Sequence, residues 1–285
     1  MLSYRHAFHA GNHADVIKHL TLALTLEYYL RKDKPFWYID THAGSGFYRL
    51  GSTEAQKNRE FATGIQQLWE QACIPEQLAA YLNLVRLANP AGKLEHYPGS
   101  PWIAAQMLRK TDQLHLFELH PADFQALNSL PGKGKRIHIQ QTDGLKGLHS
   151  LLPPPPRRAI TLIDPSYELK TDYSAVVETL TKAHKRFDSG TYLLWYPVVS
   201  RQRVQQMLHD LQASGIPDIV QIEFCPLQDS NNMGMTGSGM FVINPPWLLA
   251  QQMREILPWL AEHMSTSTGA AHYTVQQISP EKNRG

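Results

Sequence analysis

The sequence predicts an α/β fold: a doubly wound, mostly parallel sheet with helices on both faces and a small helical insertion. Three observations carry that prediction. Strand-like and helix-like patterns alternate over most of the chain, as βαβ units require. Three short apolar runs climb to a carboxylate and stop there, at Phe36–Asp40, Gln113–Glu118 and Ala159–Asp164. No self-similarity at a fixed period points to a repeat architecture instead.

Taken in order, His13–Arg31 reads as a helix, with Val16, Ile17, Leu20, Ala23, Leu24 and Tyr28 over a wide apolar face. Asn12 is placed to cap it, and Pro35 prevents its continuation. The strand Phe36–Asp40 follows, then the turn Thr41–Tyr48 with Gly44 and Gly46. Residues 49–93 change texture. They hold two amphipathic patterns, Glu54–Ala72 and Glu76–Ala88, and read as a helical subdomain inserted into a main domain of residues 1–48 and 94–285. Alternation resumes with a helix at Pro101–Lys110, the strand Gln113–Glu118, a helix at Pro121–Leu130 and a strand at Arg136–Gln140. Pro153–Pro156 form a stiff connector into Ala159–Ile163. Helix Asp172–Phe187, strand Tyr192–Tyr196, helix Arg201–Ala213 and strand Ile219–Phe224 come next. The loop Asn231–Gly239, the strand Met240–Ile243 and the helix Trp247–Met264 complete seven strands, with His272–Ile278 a candidate edge strand.

The 285 residues are 42% hydrophobic and 18% charged, enough for a full core in a soluble globular protein. A net charge of +2 is too small for the whole surface to attract nucleic acid, so any basic footprint must be local. Cys73 and Cys225 match no metal or disulfide spacing, which points to a reducing compartment. The start, MLSYRHAFHAGNHAD, lacks the apolar core of a signal peptide. Leu20–Leu26 stops at Glu27, far short of a membrane span. A cytoplasmic protein without membrane contact is expected.

Chemistry gathers at the strand ends, where open α/β sheets bind ligands. Gly44 and Gly46 after Asp40 would let backbone N–H groups approach a cofactor, and Asp40 suits an ammonium group on it. The spacing is neither the dinucleotide fingerprint nor a phosphate-binding P-loop, which disfavours nicotinamide cofactors and nucleoside triphosphates. Glu118 could accept from ribose hydroxyls, and Asp143 from an adenine amino group, although each alone could be an ordinary solvated acid or turn. Asp164-Pro165-Ser166-Tyr167 could grip a flat base bearing an amino group. Asn244–Trp247 (NPPW) resembles it but comes last in chain order, and reads as a structural turn. His9 and His13 have i,i+4 spacing, yet no further ligand pattern completes a metal site, and none is expected. His19 and His42 better suit a ligand carboxylate or an RNA phosphate. Arg5, Lys18, Arg157, Arg158, Lys182, Lys185 and Arg186 are candidate phosphate contacts.

Assembled, these residues resemble a class I S-adenosylmethionine-dependent methyltransferase, with its Rossmann-like seven-stranded sheet. More narrowly, the chain resembles the RlmJ family, which makes N6-methyladenosine in bacterial 23S ribosomal RNA. The resemblance runs from YRHAFHAGNHADVIKH to INPPW and rests on FHAGNHADVIKH, DTHAGSG, YPGSP, the Glu118 strand, TDG, IDPSYELKTDY and GMTGSGM. It implies S-adenosylmethionine as cofactor, contacted by His19, His42, Ser100, Glu118, Asp143, Gly144 and Asp164. It also implies catalysis by Asp164, a substrate-side role for Tyr4, and a helical subdomain at residues 49–93. The family's turn is usually Asp-Pro-Pro-Tyr; here Ser166 replaces the second proline and removes one fixed φ angle.

The implied mechanism has Asp164 and the Pro165 carbonyl each accepting one N–H of the adenine amine while Tyr167 stacks on the base. The target base must lie outside a helix stack, in protein-free RNA or an early assembly intermediate, and the enzyme is expected to act as a monomer. A DNA adenine methyltransferase would use the same turn, and a nucleic-acid-binding protein involved in use of external DNA is a non-enzymatic rival.

Overall fold

The computed structural model describes residues 4–130, 134–229, 234–264 and 271–281. Residues 231–233 of the predicted glycine- and methionine-rich loop lie outside the described residues.

Helix α1 (His13–Leu30) precedes the sheet and fixes much of the site. Asn12 accepts the Asp15 backbone N–H, the expected N-cap, and nearly every α1 side chain as far as Leu26 is buried. After it come β1 (Trp37–Asp40), the short strand β2 (Phe47–Arg49), the helices α2 (Thr53–Asn58), α3 (Ile65–Trp69) and α4 (Glu76–Leu87), and the short strand β3 (His96–Pro98). The pattern Glu54–Ala72 is not one helix. Arg59 takes left-handed φ of 51° and ends α2, and Gly64, at φ −115° and ψ −114°, separates a 3-10 turn from α3. A Cβ on Gly64 would lie 2.1 Å from the Gly11 carbonyl oxygen, so the chain crosses the N-terminal loop there at a distance only glycine permits. Strands β2 and β3 pair antiparallel and close the base of this segment as a two-stranded ribbon.

The alternation then runs α5 (Ser100–Met107), β4 (Gln113–Phe117), α6 (Pro121–Leu127), β5 (Ile137–Gln140), α7 (Gly144–Leu151), β6 (Ala159–Ile163), α8 (Asp172–Arg186), β7 (Thr191–Val198), α9 (Arg201–Ala213), β8 (Ile219–Cys225), β9 (Gly237–Ile243), α10 (Leu249–Met264) and β10 (His272–Ser279). The main sheet has the order β10-β8-β9-β7-β6-β1-β4-β5. Its eight strands exceed the expected seven because the candidate edge strand β10 pairs with β8 along its length. Strands β5, β4, β1, β6 and β7 are parallel, whereas β9 inserts antiparallel between β7 and β8.

Two consequences follow. The chain order reverses between β1 and β6, so the crevice at their carboxyl ends is the topological switch point. Because β9 runs antiparallel, its NPPW turn emerges at the opposite edge. There Asn244 takes φ of 49° and its side chain donates to the Asp188 and Gly190 carbonyls, while Trp247 is exposed. That turn is structural, as its position in the chain suggested. No described helix is long and apolar enough to cross a membrane.

Candidate active site

A cavity of about 600 Å³, within the size range of small-molecule sites, opens at the switch point. Its walls come from the start of α1, the turn after β1, the first residues of α5 and α7, the turn after β4, and the turn after β6.

The turn after β1 is held from below. Asp40 is completely buried; its Oδ2 accepts from Tyr38 Oη at 2.8 Å and Ser100 Oγ at 2.7 Å, and its Oδ1 from the His42 backbone N–H at 3.2 Å. Burial pushes its carboxyl up to about 6, even with those donors opposing the shift. Asp40 therefore does not line the cavity, and the expected direct contact with a ligand ammonium is corrected to a buttress beneath the turn. Gly44 does line it, and donates its N–H to Glu118 Oε2 at 2.7 Å. Gly46, expected beside the cofactor, faces the other way. At φ 74° it packs against Leu127 and Leu130 and accepts the Gly99 N–H at 3.0 Å, bringing the Pro-Gly-Ser-Pro turn alongside.

Glu118 presents a fixed carboxylate, its Oε1 accepting the His120 N–H at 2.7 Å, and burial raises it above the ordinary range. Asp143 caps α7 by accepting from the Leu145 and Lys146 N–H groups, and its side chain still lines the cavity. A Cβ on the next residue, Gly144, would fall 2.0 Å from the Thr41 carbonyl oxygen, so the two turns touch backbone to backbone. His19 and His42 both line the cavity, and burial lowers them to about 3 and about 4, so both rings are neutral at physiological pH.

The turn after β6 carries the sharpest geometry. Lys18 Nζ lies 2.6 Å from Asp164 Oδ2 and 2.8 Å from Asp15 Oδ1, with all three side chains mostly or wholly buried. Burial works against the Lys18 charge, but the two carboxylates outweigh it and hold the ammonium charged well above its ordinary range. Burial raises the Asp164 carboxyl, and Lys18 offsets this only in part. Asp15 also accepts from the Gly11 N–H at 2.8 Å and pairs with His6 Nε2 at 2.9 Å, while Tyr4 Oη meets His6 Nδ1 at 2.8 Å. Oδ1 of Asp164 has no hydrogen-bond partner among the described residues.

Other expectations separate. Pro165 and Ser166 line the cavity beside Asp164, but Tyr167 does not. It takes φ of 52°, donates its hydroxyl to the Trp195 carbonyl at 2.6 Å and tucks against Tyr173. In this conformation Tyr167 offers no face for stacking on a base, which corrects that expectation. Tyr4 lines the cavity; Arg5 points away and pairs with Glu54 at 3.4 Å. Lys18 faces Asp164 rather than a phosphate. Arg157 and Arg158 precede β6 and so sit at the edge opposite the cavity, where Arg158 donates to the Lys34 and Tyr29 carbonyls. Lys185 and Arg186 end α8, and Arg186 donates to the Leu152 carbonyl.

Sequence reasoning missed His6, Asp15 and Tyr97. Asp15 and Lys18 had a visible signal, opposite charges at i,i+3 in the first turns of a helix. Away from the cavity, Glu223, Cys225 and His272 are the one group of metal-type donors close together among the described residues. Arg201 is seated on them, its Nη1 2.6 Å from Glu223, and also grips Asp229 at 2.8 Å.

The family model for "Ribosomal RNA large subunit methyltransferase D, RlmJ" matches residues 33–277. The chain belongs to the RlmJ family. Membership makes it a methyltransferase with S-adenosylmethionine as methyl donor. The chain is 52% identical over 281 residues to Ribosomal RNA large subunit methyltransferase J of Escherichia coli strain K12, covering 99% of this chain and all of the relative. It is 47% identical over 282 residues to the Haemophilus influenzae protein of the same name, again 99% of this chain and all of the other. The crystal structure of protein LPL1258 from Legionella pneumophila superposes with a TM-score of 0.88 at 36% identity, covering 94% of this chain and 98% of that one. The RlmJ resemblance seen in the motifs thus extends over the whole sequence and the fold.

Proposed function

We propose that this protein transfers a methyl group from S-adenosylmethionine to N6 of an adenine in 23S ribosomal RNA, with Asp164 as the group that receives the one proton the amine loses. The observation that carries the reading is Asp164 itself. It follows the central strand β6 at the cavity wall, one carboxylate oxygen held by Lys18 and the other without a partner among the described residues.

The donor set suits the cofactor. A ribose can meet the Glu118 carboxylate, an adenine can reach Asp143 and the backbone at Gly144, and the neutral His19 and His42 can meet the methionine carboxylate. Ser100, fixed by Asp40, lines the same wall. When bound, S-adenosylmethionine supplies an electrophilic methyl group on its sulfonium.

The protein's residues do the rest. An adenine amine is a poor nucleophile because its lone pair is delocalised into the ring. Asp164 Oδ1 and the Pro165 carbonyl can each accept one N–H, which lets the nitrogen pyramidalise and aims its lone pair. Placement of this kind supplies much of a transfer rate. The amine becomes strongly acidic as the new bond forms, so a carboxylate raised by burial is a competent proton acceptor. Lys18 keeps Asp164 ionised beforehand and fixes its orientation. Pro165, Ser166 and Leu169 border the place where a base would enter.

On this reading residues 49–93 form a subdomain inserted in the methyltransferase domain, and the substrate is protein-free 23S RNA or an early assembly intermediate. The protein works in the cytoplasm as a monomer and needs no metal. Mass spectrometry of nucleosides from 23S RNA, from cells with and without the protein, tests it: N6-methyladenosine should fall by one site per ribosome. Matched RNA and DNA oligonucleotides then separate the substrate classes, and methylation of DNA alone would overturn the assignment.

A further inference from the structure

We propose that Tyr97, which accepts from Tyr81, is a positioning residue that locks His19 in its Nε2–H tautomer, making its free ring edge a hydrogen-bond donor for the anionic end of the cofactor. The second half rests on the reading above, in which His19 meets the methionine carboxylate.

Three side chains from three elements form a buried row. His19 Nδ1, on α1, lies 2.7 Å from Tyr97 Oη, on β3, which lies 3.0 Å from Tyr81 Oη, on α4. Their exposures are 1%, 0% and 0%. The row is closed to bulk solvent, so its hydroxyl protons are satisfied by acceptors within the protein. Among the described residues Tyr81 Oη has no partner besides Tyr97.

That fixes the direction of the chain. If Tyr81 donates to Tyr97 and Tyr97 donates to His19 Nδ1, both protons are used. His19 then carries its own proton on Nε2. If instead His19 donates from Nδ1, either the Tyr81 or the Tyr97 hydroxyl proton is left with no acceptor. Burial keeps the ring neutral, at about 3, so a doubly protonated imidazolium does not confuse the choice. His19 lines the cavity, so the donor edge faces the ligand. Tyr81 belongs to the inserted segment. Two hydroxyls therefore connect that segment to the cofactor wall.

The test uses full-length protein labelled with 15N-histidine, without ligand, and long-range 1H–15N correlation spectra. The His19 signals are identified by their loss in His19→Gln. The wild type should show a protonated Nε2 and a bare Nδ1. Tyr97→Phe keeps the ring and removes the link, and should convert His19 to a mixture of tautomers. The same variant should raise the dissociation constant for S-adenosylmethionine about tenfold by calorimetry, with a smaller rise for Tyr81→Phe. If Tyr97→Phe does not fold, the wild-type spectrum decides alone, and Tyr81→Phe, which leaves Tyr97 no acceptor but His19 Nδ1, must keep Nε2 protonated. A protonated Nδ1 in the wild type or in Tyr81→Phe, or a tautomer ratio indifferent to Tyr97→Phe, overturns the proposal. His19→Gln binding the cofactor as tightly as wild type would instead sink the assignment of His19 to the ligand, with the tautomer result still standing.

Discussion

Replacing Lys18 with methionine keeps the length of the side chain and removes its charge. The ammonium lies 2.6 Å from Asp164 Oδ2, and at an effective dielectric constant of ~20 that pair is worth about 6 kcal/mol in gross Coulomb energy. Desolvation of the buried ammonium cancels much of it; if about a third survives, roughly 2 kcal/mol corresponds to a shift of about 1.5 pH units. The direction is set by the geometry. Burial already raises Asp164, and loss of Lys18 raises it further, so less of it is ionised at neutral pH. Only the ionised form accepts a proton, so activity should fall at pH 7 and return as pH rises. Single-turnover transfer of a labelled methyl group, measured from pH 5 to 9, reads this. Lys18→Met should be up to about 30-fold slower at pH 7, with its acid limb moved up by more than ~1 unit and partial recovery at pH 9. Lys18→Arg should fall between the two. A variant slowed equally at every pH, or not slowed, would refute the claim that Lys18 acts through the charge of Asp164.

Three further outcomes are expected. The folded protein holds the Asp40 proton up to about 6 against about 3.9 unfolded, so the stability it contributes is present below pH ~4 and lost as pH rises through 6. Unfolding free energies from denaturant curves should therefore fall by about 2 kcal/mol between pH 4 and 7 for wild type relative to Asp40→Asn, and parallel pH profiles would contradict this. Arg201→Leu leaves Glu223 buried without its cation. It should cost about 3 kcal/mol, roughly 6–10 °C in melting temperature, while cofactor affinity stays as it was. Trp247→Ala, at the edge opposite the cavity, should leave methyl transfer unchanged, and a large loss there would mean that the NPPW turn meets the RNA.

What the sequence revealed depended on the range of the interaction. Strand and helix types, the Asn12 cap and the position of Asp164 follow from local pattern, and the structure places them where the pattern does. The unread features depend on distant partners or on side-chain direction. An acid at a strand end can face the cavity or the layer beneath it; Glu118 takes the first course and Asp40 the second, because Ser100 and Tyr38 reach back to it. Tyr167 was expected to face the base, but left-handed φ at that residue turns its ring inward. The break between α2 and α3 was hidden because helical periodicity continues across Arg59, and only the close passage of Gly64 over Gly11 interrupts it. Charge alone suggested Arg157 and Arg158 for RNA. Their place before β6, rather than after it, puts them on the wrong edge. NPPW was read as structural for the converse reason, its late place in the chain, and the antiparallel β9 explains why that worked.

Asp164 is the centre of the account. Asp164→Asn keeps the shape and removes the carboxylate, and the measurement is N6-methyladenosine formed on 23S RNA at saturating cofactor, with cofactor binding followed in parallel by calorimetry. The account predicts that methyl transfer falls by at least ~1,000-fold while S-adenosylmethionine still binds and the melting temperature holds. Undiminished N6-methyladenosine from Asp164→Asn would contradict it.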